Sequence, residues 1–195
     1  MCWPYDGAVQ LERTALLVMD VQRGIAERLG SETLMARLTE AMSAARKAGV
    51  LVIHVKVGFR EGYPEVSPRN VSFSRVVETE NFIEGRSSEV HEAVEPERGD
   101  VVVTKRRVSA FSGSDLDVVL RSKGIDSLVL AGIATSGVVL STLRQAADLD
   151  FALAVLSDGC ADGDDEVHGL LLEKVFPRQA QIITVAEWVA AVRRR

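Results

Sequence analysis

Apolar residues along the chain follow two different rhythms. Short runs rich in β-branched residues occupy 14–19, 51–57, 101–104, 127–131, 151–157 and 181–184, the first of them continuous in apolar character. Between them lie stretches in which apolar residues recur every three or four positions. A strand that is apolar on both faces belongs in a sheet covered by helices on both sides. After the first run the pattern predicts a polar loop beyond Asp20. A helix then follows with Ser31 as its N-cap, Leu34, Met35, Leu38, Ala41, Met42 and Ala45 at helical spacing, and Gly49 as its stop. Ser114 and Asp117 predict a capping pair for a helix ending at Gly124. Further helices are predicted over 136–147 and over 166–176, the latter stopped by Pro177. Thr184 and Glu187 would cap the closing helix, on which Trp188 and Val192 share a face.

Strands alternating with helices are the signature of βαβ units. The expected fold is a three-layer α/β/α sandwich with a six-stranded, mainly parallel sheet, formed as a single domain over 1–195. No internal repeat or low-complexity linker interrupts it. The least regular stretch is 58–99, which carries Pro64, Pro68 and Pro96, many charges and a weak apolar period. So long a connection in a compact domain predicts short helices or a functional lid.

Composition narrows the function classes. Hydrophobic residues make up 47% of the chain and charged residues 26%, as in a globular protein. A net charge of −5 argues against a nucleic-acid surface, which is normally basic. The chain closes on Arg193-Arg194-Arg195, cations suited to the carbonyls at a helix C-terminus. No apolar stretch reaches the roughly 18 residues of a membrane span. Met1-Cys2-Trp3-Pro4 lacks the basic-then-apolar pattern of a secretory signal, so a cytoplasmic location is expected. Cys2 and Cys160 do not make a disulfide framework and fit a reducing compartment. Cys2 is assigned no role.

In an open parallel sheet, ligands bind outside the carboxyl ends of the strands. That rule selects Asp20 after the first strand, Lys105 after the third, and the segment 132–138 after the fourth. A carboxylate and an ammonium converging there could move a proton and stabilise negative charge. They could equally form a structural ion pair at a strand edge, since such pairs also perturb pKa values.

At these positions the chain resembles the isochorismatase-like cysteine hydrolases. Val18-Met19-Asp20-Val21-Gln22 is similar to the Asp-x-Gln motif of that family. Lys105-Arg106-Arg107-Val108-Ser109-Ala110-Phe111 is similar to its lysine motif, with the Ser-Ala-Phe tail, and Gly132-Ile133-Ala134-Thr135 to the turn that precedes its nucleophile. The three motifs keep their order and spacing, and the match runs from residue 14 to about 188. The resemblance implies a catalytic acid/base at Asp20 and a charge-stabilising lysine at Lys105. It implies a cis peptide between Ile133 and Ala134, with Ala134, Thr135, Ser136 and Gly137 serving as oxyanion or substrate positions at a helix N-terminus. Gln22, Arg107 and Phe111 join the site on the same ground. The expected pocket walls are Phe111 and residues 58–77, with Phe59 and Tyr63 as candidates. The family includes nicotinamidases, carbamoyl amidases, ureide hydrolases and isochorismatases, and its members usually self-associate, so a homodimer or larger assembly is expected.

The pattern breaks at Val138, which stands in the slot of the family's nucleophilic cysteine. An isopropyl group cannot attack a carbonyl, so the thioester route is closed there. Cys160 lies along the same sheet edge but reads as a small buried thiol. Ser136 and Ser141 lack a nucleophile elbow and an evident histidine partner, and their hydroxyls suit helix capping. Isochorismatases proper work without the thiol: the aspartic acid protonates a vinyl ether and water attacks the oxocarbenium carbon. Arg107 matches their lysine motif, while Arg106 and Val108 depart from its aromatic residues. His54, His91 and His168 are scattered in sequence, His54 reads as a structural residue of a buried strand, and no glycine-rich phosphate loop is present. No metal and no cofactor is therefore expected. Two readings stand: a small-molecule hydrolase acting through Asp20 and Lys105 without a thiol, and a non-catalytic small-molecule-binding descendant of the same fold.

Overall fold

The computed structural model describes residues 10–193 apart from residue 86, so Cys2, Arg194 and Arg195 lie outside the described residues. Six strands, β1 (Thr14–Met19), β2 (Leu51–Val57), β3 (Val101–Lys105), β4 (Ser127–Ile133), β5 (Ala152–Ala161) and β6 (Gln181–Ile183), form one sheet in the order β3-β2-β1-β4-β5-β6. Every pairing in it is parallel. Seven α-helices accompany them: α1 (Arg23–Leu29), α2 (Glu32–Lys47), α3 (Val71–Glu78), α4 (Leu116–Ser122), α5 (Leu140–Asp148), α6 (Asp165–Leu170) and α7 (Val185–Arg193). The strand order reverses between β1 and β4, and the crevice beyond their carboxyl ends is where such sheets bind ligands.

The side-chain period of two assigns each strand residue to one of two apolar layers. Leu16, Val18, Val52, Val129 and Ala131 meet Leu34, Leu38, Met42 and Trp188 of α2 and α7. Leu17, Met19, Ile53, Val55 and Leu130 face the opposite way, onto Leu116, Leu120 and Leu143 of α4 and α5. Trp188, fully buried, satisfies its indole by donating to the Ala41 carbonyl at 3.2 Å. No helix of the described residues is long and apolar enough to cross a membrane.

The elements follow the sequence pattern closely, with four differences. The polar loop expected after Asp20 contains α1, a seven-residue helix that buries Ala26 and packs Ile25 and Leu29 partly against the core. The Ser114–Asp117 capping pair does not form: Ser114 accepts the Leu116 N–H at 3.3 Å, while Asp117 pairs forward with Arg121 at 2.8 Å. β5 runs to Ala161, past the expected end at 157, after a register shift against β4 between Leu130 and Gly132. Pro177 does not end the helical path at 176 but sits in a 3₁₀ turn, Phe176–Arg178, that tightens it. Ser31 caps α2 by accepting the Leu34 N–H, and Thr184 and Glu187 cap α7 reciprocally, both as the spacing predicts. The 58–99 segment carries the short helix α3 and a 3₁₀ turn, Glu92–Val94. Its own small core gathers Val57, Phe59, Tyr63, Phe73 and Ile83.

Candidate active site

Asp20 is the first residue beyond β1. Its N–H donates to the Val55 carbonyl at 2.8 Å, and its φ of +55° then turns the chain out of the strand. Lys105, the last residue of β3, reaches the same place from two strands away. Its Nζ lies 2.9 Å from Asp20 Oδ2 and donates to the Arg107 carbonyl at 2.9 Å. Both side chains are sealed from solvent, at 2% exposure for Lys105 and 9% for Asp20. The second carboxylate oxygen, Oδ1, is buried with no hydrogen-bond partner. Burial pushes the Asp20 carboxyl above the usual carboxylate range, and the Lys105 ammonium and the Val57 backbone draw it only part of the way back.

The 132–138 segment leaves β4 beside β1. Gly132 is required there: its φ is +137°, and a Cβ would sit 2.0 Å from the Met19 carbonyl oxygen. The Ile133–Ala134 peptide is cis. Thr135 is fully buried; its hydroxyl donates to the Ala161 carbonyl at 3.1 Å and lies 2.8 Å from His168 Nδ1. The Ser136 N–H donates to the Asp162 carboxylate at 2.6 Å, and the Gly137 N–H donates to the Ala134 carbonyl at 3.1 Å. Both donors thus have partners within the chain. Asp162 also accepts the Gly163 N–H; burial raises its pKa, but the N–H donors and the Ser136 hydroxyl outweigh it and hold the carboxyl below its usual range. Val138 is buried in the same apolar layer as Met19 and Cys160.

The remaining candidates are placed by their side-chain partners. Gln22 is buried, with its amide on the backbone of Val57 and Ser88. Arg107 donates from Nη2 to the Glu65 carbonyl at 2.9 Å and lies 6.0 Å from the Phe73 ring centroid. The Phe111 ring packs 5.9 Å from Phe151 in the layer beneath α4 and α5. Phe59 and Tyr63 belong to the small core of the 58–99 segment, their rings 5.7 Å apart. The structure therefore brings Asp20 and Lys105 together, and it adds two residues that sequence reasoning missed at the turn, Asp162 and His168. Asp162 follows β5, so the strand-end rule selects it once β5 is known to run to Ala161.

The isochorismatase domain model matches residues 14–187. The chain belongs to the isochorismatase family. It is 31% identical over 192 residues to the isochorismatase family protein YwoC of Bacillus subtilis, covering 95% of this chain and 97% of the relative. It is 31% identical over 217 residues to the ureidoacrylate amidohydrolase RutB of Stutzerimonas stutzeri, covering 97% and 84%. An isochorismatase family structure from Burkholderia thailandensis superposes with a TM-score of 0.77 at 29% identity, over 93% of this chain and 96% of that one.

In this isochorismatase-family chain Cys160 is a buried thiol whose pKa is pushed up to about 12 by burial, the opposite of an activated nucleophile. His54 is tied by Nε2 to Asp100 at 3.0 Å, and Asp100 is in turn gripped by Arg46. Burial holds His54 below its ordinary pKa despite that carboxylate. His91 caps a turn by accepting the Ala93 N–H. Among the described residues no three His, Cys, Asp or Glu side chains gather as a metal-binding group.

Proposed function

We propose that this isochorismatase-family chain is a small-molecule hydrolase that works by acid–base chemistry at Asp20, assisted by Lys105, without a covalent thiol intermediate. The observation that carries the reading is the division of labour on one carboxyl group. Oδ2 is held by the Lys105 ammonium while Oδ1 is buried and unpartnered, in surroundings that favour the protonated form. A carboxyl whose pKa is raised by burial is the kind of acid that protonation of a weakly basic carbon or leaving group needs. Val138, which the resemblance places in the slot of the family's thiol, is buried and carries no nucleophile.

For a vinyl ether the steps balance without any other group. The Asp20 proton adds to the alkene carbon, and the adjacent carbon becomes an oxocarbenium ion. The new Asp20 carboxylate is stabilised by Lys105. Water adds to the cation and returns a proton to Asp20, and the hemiketal collapses to a ketone and an alcohol. A related C–O or C–N hydrolysis would use the same acid on its leaving group.

The test is a panel: isochorismate and simpler vinyl ethers against nicotinamide, carbamoyl amides and ureido acids, with wild type and Asp20→Asn. Turnover of a vinyl ether that disappears in Asp20→Asn supports the reading. Binding across the panel without turnover, unchanged by the substitution, overturns it in favour of a ligand-binding protein.

A further inference from the structure

The β1–β2 ladder stops one residue too early for its neighbour. Its last register pair is Met19 with Val55, and its last backbone rung is the Asp20 N–H donated to Val55. Val57, two residues on, turns its backbone N–H and C=O the same way as Val55, because the orientation repeats every second residue of a strand. An unbroken β1 would supply partners for both. Asp20 has already left, with φ at +55°.

Gln22 fills the gap with its side chain. Oε1 accepts the Val57 N–H at 2.9 Å, and Nε2 donates to the Val57 carbonyl at 2.9 Å and to the Ser88 carbonyl at 3.0 Å. A carboxamide presents one acceptor and a donor in the geometry of a peptide group, so it can replace a missing peptide unit on a strand edge. Gln22 is 1% exposed and uses both amide hydrogens. Val57 is also the register partner of Lys105 on β3, and the Gly58 N–H donates to the Lys105 carbonyl at 3.2 Å. One amide thus joins the segment that leaves β1 through Asp20 to the strand paired with Lys105.

We propose that Gln22 is the positioning residue of the Asp20–Lys105 pair: its carboxamide stands in for the peptide unit that β1 withdraws, which frees Asp20 to turn towards Lys105 without stranding the Val57 backbone. The proposal rests on Asp20 and Lys105 being the working pair, but it is tested on the pair itself and not on turnover. A chain with no hydrolytic activity would leave the result standing.

The experiment is hydrogen exchange by solution NMR on the full chain, following the Lys105 ammonium and the Val57 amide. Gln22→Met keeps length and bulk but removes the donors and the acceptor. The expected result is exchange at least roughly tenfold faster at both sites, with the amides of β4 and β5 unchanged. Thr142→Val serves as the control, since it removes a buried bond of similar size, from the Ala110 N–H to Thr142 Oγ1, on the opposite layer. It should leave the Lys105 ammonium unmoved. Unchanged Lys105 exchange in Gln22→Met, or an equal change in Thr142→Val, overturns the proposal. Should Gln22→Met fail to fold, wild type decides alone. A Val57 amide protected like that of Val55 supports the proposal, and one exchanging like an unpaired edge amide overturns it.

Discussion

Replacing Lys105 with Met removes the ammonium from a buried ion pair while keeping most of the side-chain volume. Asp20 Oδ2 then loses its ion-pair partner at 2.9 Å, and Oδ1 has no hydrogen bond to begin with. Stranding a buried charge in this way costs about 3–5 kcal/mol. The carboxyl avoids that cost by keeping its proton, so the substitution drives its pKa further upward. The folded carboxyl already titrates above its ordinary 3.8. In the window from 3.8 up to the folded value the native state holds a proton that the unfolded chain has released, so stability falls as pH rises through it. Lys105→Met widens that window. Urea unfolding followed by circular dichroism should therefore show a loss of about 3–5 kcal/mol at pH 8 that shrinks at pH 5. A residue of about 1 kcal/mol should persist at both, from the lost bond to the Arg107 carbonyl. Adding Asp20→Asn, which cannot ionise, should recover most of the pH 8 loss. A deficit equal at pH 5 and pH 8, and not relieved by Asp20→Asn, would refute the assignment of Asp20 and Lys105 as a desolvated pair.

Two further outcomes follow from the fold around the site. Gly132→Ala should destabilise by about 2–4 kcal/mol or prevent soluble expression, because the new Cβ meets the Met19 carbonyl in a backbone conformation closed to alanine; a melting temperature within a degree of wild type would contradict this. His54, whose pKa burial lowers, binds fewer protons folded than unfolded below its ordinary 6.5, so stability falls as pH drops through that range; His54→Gln should flatten the stability profile there, measured by chemical denaturation.

The strands were legible because a sheet covered on both faces favours short apolar runs rich in β-branched residues. β5 was truncated in the sequence pattern because Asp158 and Gly159 read as a loop, although Gly159 and Cys160 are buried in the strand. α1 was hard to see because its apolar set, Ile25, Ala26 and Leu29, spans barely more than one turn. Asp20 and Lys105 could be found from their places at strand ends. The partnership of Thr135 with His168 and of Ser136 with Asp162 could not, since each joins residues 26 or more positions apart through side-chain geometry alone. Gln22 shows the limit most clearly. Two residues from Asp20 it reads as a site group, yet its amide turns into the sheet.

The most direct test of a thiol-free hydrolase is the rate of vinyl-ether hydrolysis by fully iodoacetamide-treated protein, compared with untreated wild type and with Asp20→Asn. The chain has two thiols, Cys2 and Cys160, and the second is buried with its pKa pushed up to about 12. Alkylated wild type should keep essentially all its activity, while Asp20→Asn should lose roughly 100- to 10,000-fold. Inactivation by the alkylating agent, or an Asp20→Asn variant that turns over at the wild-type rate, would contradict the account.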